Sequence, residues 1–211
     1  ISGTTLSRDI TLAGTLNISS GTLDLNGHIL HVKGDLLVRT PINVSSDEDP
    51  KANIFINGGQ LIVDDNMHLH GYSRLIMRNP KDYVLVRKNF LMNSVINAYK
   101  NHIEKGGDNI SCLQNGLLEV KGDFSQRTKN GTSKLNEPIF SCDLCDENNP
   151  GDPYNFTTSG DFKTKLSGDK QNIKFDTSTV QENYDESNSI EYQSFFKTLI
   201  ITKPIENYNI K

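Results

Sequence analysis

The chain has 211 residues, a formal net charge of −4 and 35% hydrophobic residues, with no tryptophan. Its mean hydropathy is −0.50 and its pI about 5.7. The acidic balance argues against nucleic acid, which wants a basic patch, and no run of about 18 apolar residues is present to enter a membrane. The length is enough for a substantial core.

The first elements follow one another without loops. Leu16-Asn-Ile18, Leu23-Asp-Leu25, Leu30-His-Val32 and Leu36-Leu-Val38 are short alternating units at spacings of 7, 7 and 6. Alternation at period two predicts half-buried strands. Three such faces make a coil of roughly 20–23 residues, within the range of solenoid repeats.

A longer block then recurs. It reads Leu30-His-Val32-Lys-Gly34-Asp35-Leu36, Leu61-Ile-Val63-Asp-Asp65-Asn66-Met67, Val84-Leu-Val86-Arg-Lys88-Asn89-Phe90 and Leu118-Glu-Val120-Lys-Gly122-Asp123-Phe124. A weaker copy is Thr164-Lys-Leu166-Ser-Gly168-Asp169. In each block a strand meets a Gly/Asp/Asn step that lets the chain turn a corner. Stacked, the blocks put Val32, Val63, Val86 and Val120 in an interior column. They put Asp35, Asn66, Asn89 and Asp123 in a corner column, a structural Asx ladder rather than a ligand-binding stripe.

Intervals between the valines are 31, 23 and 34 residues, and Val120 to Leu166 is 46. The 23-residue interval reads as one undecorated coil and the 46-residue interval as two. The other two carry insertions. One holds the acidic turn around Asp47, Glu48 and Asp49. The other, 94–106, has Val95, Ile96, Tyr99 and Ile103 at helical spacing, with Ser94 placed to cap and Gly106 to end a short external helix.

The regular pattern covers about 3–126, an irregular stretch covers 127–160, and strand-like patches return at 161–211. The stretch Asp176 to Asn188 reads as a loop. Phe195, Phe196, Leu199 and Ile201 are suited to burying the last open coil. No linker is evident, so the reading is a single elongated domain, 1–211. Residue 1 starts in mid-pattern, so a fragment of something larger is expected.

Gly21-Thr-Leu-Asp-Leu-Asn-Gly-His-Ile-Leu30 and Gly58-Gly-Gln-Leu-Ile-Val63 resemble coils of parallel β-helix proteins, the pectate-lyase-like and adhesin-like superfamilies. Leu118 to Phe124, Ser159 to Lys170 and Phe195 to Thr202 resemble repeat regions of large secreted or surface proteins of Gram-positive, often clostridial, bacteria. The resemblance implies an all-β, right-handed parallel β-helix with an extracellular location. It also implies partners among the other domains of a parent chain, and glycans or a host surface.

Chemistry-bearing residues are few. Cys142-Asp-Leu-Cys145 and Cys112 are the three cysteines. A disulfide between two of them, free thiols, a metal site and a redox pair are the open readings. Asp143, Asp146, Glu147, Asn148, Asn149 and Asp152 cluster oxygen donors that suit calcium, the one cofactor entertained, or a solvated acidic turn. The spacing is not an EF-hand.

His68 and His70 share an outward face, one coil from His28 and His31, as either surface histidines or a transition-metal pair. Arg39, His70, Asn93 and Arg127 form an outward polar stripe. Lyase chemistry needs groups converging on one bond, and glycoside hydrolysis needs a carboxylate pair about 5–10 Å apart; neither is evident. The function read from the sequence is a non-catalytic structural, spacer or adhesin-like module. The alternatives are a carbohydrate-binding or carbohydrate-active β-helix, and a module of a large toxin-like protein.

Overall fold

The structure is a computed structural model. It describes residues 3–39, 52–71, 73–94, 112–126, 158, 160–175 and 196–202. The first circuit of the chain runs through β1 (Thr4–Thr5), β2 (Ile10–Leu12) and β3 (Leu16–Ile18). The second runs through β4 (Gly21–Asp24), β5 (Ile29–Val32) and β6 (Leu36–Arg39), and the third through β7 (Ala52–Phe55), β8 (Gln60–Val63) and β9 (Met67–Gly71). The fourth is β10 (Ser73–Ile76), β11 (Tyr83–Val86) and β12 (Phe90–Ser94). Two-strand circuits follow, β13 (Leu117–Val120) with β14 (Phe124–Gln126), then β15 (Lys163–Leu166) with β16 (Ile173–Phe175). The last strand is β17 (Leu199–Ile201).

Each strand pairs with its counterpart one circuit away, which gives three parallel sheets of four, seven and six strands. The first sheet has the order β1-β4-β7-β10, the second β17-β15-β13-β11-β8-β5-β2, and the third β16-β14-β12-β9-β6-β3. The described residues are all strand and turn, an all-β architecture of the parallel β-helix kind. No described helix is long and apolar enough to cross a membrane.

Register follows the inward side chains. Val32 pairs with Val63, Val63 with Val86, Val86 with Val120 and Val120 with Leu166. All five are at most 2% exposed. Sliding any strand by one residue would turn these side chains to water, which is why the alternation enforces the register. In the third sheet the equivalent column is Leu36, Met67, Phe90 and Phe124. The Phe90 and Phe124 rings stack at 5.1 Å, and Phe196 meets Phe124 edge-on at 5.0 Å. Burying a side chain of this size contributes about 1.5–3 kcal/mol, so the columns hold the circuits together.

The corner between the first and second sheets turns on Asn26-Gly27 and Asn57-Gly58. Their φ angles are 48°, 82°, 47° and 80°, the left-handed region that Asn and Gly tolerate. His28 N–H donates to Leu25 C=O and Gly59 N–H to Ile56 C=O, both at 2.8 Å, closing the two turns.

Three expectations change. The 46-residue interval is one step of the ladder, because β13 and β15 are directly paired; an insertion, not a second circuit, fills it. Ser94, the expected cap, is the last residue of β12, and the expected helix after it lies outside the described residues. Leu199 and Ile201 do not bury the final circuit, since each is 37% exposed, whereas Phe196 packs on the core. The corner residue of the fifth block is Asn172 instead of Asp169, as shown next.

Candidate functional site

At the corner between the second and third sheets, side chains reach from one circuit to the next. Asp35 Oδ1 accepts from Asn66 N–H at 2.9 Å and from Asn66 Nδ2 at 3.0 Å. Asn66 Oδ1 accepts from Asn89 N–H at 3.2 Å, and Asn89 Oδ1 from Asp123 N–H at 2.8 Å. Asp123 Oδ1 then accepts from Asn172 N–H at 2.8 Å. Backbone bonds run beside this chain, with Leu36, Met67, Phe90 and Phe124 N–H donating to the carbonyls of Asn66, Asn89, Asp123 and Asn172. The extended corner Gly168 to Gln171 displaces Asp169 from the column. Gln171 Oε1 accepts from Gly168 N–H at 3.0 Å, and its Nε2 donates to Val120 C=O at 2.9 Å.

A second corner holds a carboxylate with no signal in the repeat. Asp82 is 1% exposed. Its Oδ1 accepts from Gly58 N–H, and its Oδ2 from Arg78 N–H at 2.8 Å and Asn79 N–H at 3.0 Å. Three backbone donors offset the cost of burying the carboxylate, and the bond from Gly58 ties one circuit to the next.

The outward face of the second sheet gathers a polar cluster from residues that sequence reasoning left separate. His31 and Glu119 lie on one outward row, in register with Ile62, Leu85 and Lys165. Asp64 sits just past β8. His31 Nε2 is 3.0 Å from Asp64 Oδ2, and Arg87 Nε is 2.9 Å from Asp64 Oδ1. Proximity of His31 is the main cause that holds the Asp64 carboxyl below its ordinary value; burial opposes it, and the His31 and Arg87 charges add to the lowering.

Glu119 is 8% exposed. Its Oε2 accepts from the Tyr83 hydroxyl at 3.0 Å and its Oε1 from Ser167 Oγ at 2.6 Å, with Lys165 Nζ at 3.2 Å. Burial pushes its pKa up, but the bonds from Ser167, Lys165 and Tyr83 together outweigh this and leave it lowered. Tyr83 is pushed up to about 12, first by burial and then by the bond to Glu119 and its charge.

These directions decide what the cluster can do. A general acid needs a carboxyl raised toward neutrality, and a tyrosine base needs a lowered pKa. Here both carboxyls are lowered and the tyrosine is raised. Asp64 and Glu119 also sit two strands apart and laterally offset, about 12 Å by strand geometry, wider than a glycosidase pair. The arrangement satisfies its own charges.

The remaining candidates are dispersed. His28 Nδ1 is 3.4 Å from Asp9, while His68 and His70 lie on β9 of the third sheet, away from His31. Arg39, His70 and Asn93 are in register with one another, and Arg127 lies outside the described residues. No group of three or more potential metal ligands occurs among the described residues. Cys112 carries a free thiol, pushed up by burial against the lowering charges of Arg74 and Arg78. Cys142, Cys145, Asp143, Asp146, Glu147, Asn148, Asn149 and Asp152 lie outside the described residues, as do Asp47, Glu48 and Asp49.

Comparison with known proteins finds no match among family models, curated proteins or solved structures.

Proposed function

We propose that the chain is a non-catalytic structural or spacer module of a larger secreted or cell-surface protein. It would be a right-handed parallel β-helix whose undecorated coil is the 23-residue step from Asn66 to Asn89. One observation carries this reading: the unbroken run of side-chain and backbone hydrogen bonds from Asp35 to Asn172. Such a run ties successive circuits along one axis and resists extension, the property a spacer needs. The outward charges support the same reading, since Asp64 is paired with Arg87 and Glu119 with Lys165.

The alternative is a carbohydrate-binding or carbohydrate-active β-helix. A screen against polyuronates and neutral glycans, with and without calcium, separates the two. The spacer reading expects neither turnover nor saturable binding, together with a high unfolding force when single molecules are pulled. Turnover of any glycan, or saturable binding lost on mutating Tyr83 or Arg87, would replace it with the alternative.

A further inference from the structure

Three Asn-Gly steps occur among the described residues: Asn26-Gly27, Asn57-Gly58 and Asn115-Gly116. An asparagine followed by glycine can react with its own backbone, because no Cβ shields the glycine nitrogen. That nitrogen, once it gives up its proton to solvent base, attacks the asparagine Cγ. A C–N bond forms, Nδ2 leaves as ammonia with a proton taken from water, and a cyclic imide remains. Water then opens the imide at Cγ to give aspartate, or at the backbone carbonyl to give isoaspartate. The sum is one water consumed and one ammonia released, with no change of oxidation state.

The first two steps form a matched pair. They lie one circuit apart and share their φ angles, 48° and 82° against 47° and 80°. Equivalent bonds close the two turns, from His28 to Leu25 and from Gly59 to Ile56, both at 2.8 Å. The cost of opening the turn is therefore common to both. The difference between them lies in what holds the side chain and the attacking nitrogen.

At Asn57 both reacting groups are held by carboxylates. Its Nδ2 donates to Asp24 Oδ1 at 3.1 Å and Oδ2 at 3.2 Å, and Gly58 N–H donates to the buried Asp82. Attack there breaks the bond to Asp82 and builds negative charge, first on the nitrogen and then on the carboxamide oxygen, beside two carboxylates. At Asn26 the carboxamide has one long bond, from Nδ2 to Leu6 C=O at 3.4 Å. Gly27 N–H has no partner among the described residues. Asp24 reaches Asn26 at its backbone N–H, at 2.8 Å, and not at the carboxamide. Asn26 and Gly27 are exposed to the water the reaction consumes, whereas Asn57, Gly58, Asn115 and Gly116 are half-buried. Asn115 is also held, its Nδ2 donating to Arg78 C=O at 3.2 Å, and Gly116 lies against the Asp82 backbone.

We propose that Asn26 is the described Asn-Gly step at which the native protein deamidates, and that the same fold protects Asn57. The change falls on the seam between the first two circuits. Either acid removes the Nδ2 donor to Leu6 and adds a charge near Asp24. Isoaspartate also lengthens a turn anchored by the fully buried Leu25.

Ageing the full native chain in mildly alkaline buffer, followed by peptide mapping with mass spectrometry, tests this. Asn26 is expected to convert at least about tenfold faster than Asn57 or Asn115, the ratio that one charge-assisted hydrogen bond lost on attack produces. The same mapping on the chain unfolded in urea should bring Asn26 and Asn57 to similar rates, because the carboxylates no longer hold Asn57. Conversion of Asn57 or Asn115 before Asn26 in the native chain overturns the proposal. So does a native Asn26 that stays intact while the unfolded chain reacts, or a preference for Asn26 that persists undiminished in urea.

Discussion

The side-chain oxygen of Asn89 accepts the backbone N–H of Asp123 at 2.8 Å, across 34 residues of sequence. Neither residue is in the other's local neighbourhood, so this bond exists only if the fourth and fifth circuits lie in register. It also holds the corner at which the strand of the second sheet passes to the third.

Removing that acceptor should cost stability. Asn89→Ala exchanges this bond for one to water and is expected to lower unfolding free energy by about 0.5–1 kcal/mol, measured by urea denaturation. Asn66→Asp keeps the acceptor but loses the Nδ2 donor and faces Asp35 with a like charge. It should destabilise at pH 7 in the same assay.

Corner glycines should differ by their surroundings. A Cβ on Gly122 would lie 2.4 Å from the Lys88 carbonyl carbon and on Gly168 nearer still to Lys121, while Gly14 is open. Overpacking against backbone costs about 1–3 kcal/mol or more. Gly122→Ala is therefore expected to lower the melting temperature by several degrees, and Gly14→Ala to leave it unchanged.

Asp82 should be intolerant of its neutral isostere. Asp82→Asn replaces one acceptor oxygen by an NH₂ facing backbone donors, and Asp82→Ala strands three of them. Losses of about 3 kcal/mol are expected for the alanine variant, with the asparagine variant also destabilised. A thermal melt matching the wild type in either variant would contradict the buried capping role.

The Glu119 cluster gives stability a pH profile with two edges. Glu119 has a lowered folded pKa, so its contribution is present above its ordinary value of 4.5 and is lost as pH falls below it. Tyr83 has a raised one, so its contribution is present below 10.0 and is lost as pH rises toward 12. Chemical denaturation across pH should show Glu119→Gln shallower on the acid side. Tyr83→Phe should be shallower on the alkaline side.

Much of the architecture was legible. The period-two blocks place Val32, Val63, Val86 and Val120 on one face, and these four are neighbours in the second sheet. The corner column was legible for Asp35, Asn66, Asn89 and Asp123 but not for Asn172, because the fifth corner is longer by Asp169, Lys170 and Gln171. The Asn26-Gly27 and Asn57-Gly58 turns were readable from their dipeptides, which favour positive φ. The Tyr83–Glu119–Lys165–Ser167 group was not, since its members come from three strands or their ends and meet only through register.

Alternation and turn chemistry are local, so the sequence by itself determined that strands stack in parallel around an apolar interior and where the chain bends. Which circuits become neighbours across an insertion is a different matter. The entropy of closing a loop rises only slowly with its length, so 46 residues constrain the next strand little more than 23. Tertiary structure decided that step in favour of direct pairing between Val120 and Leu166. The same pairing placed Lys165 and Ser167 against Glu119.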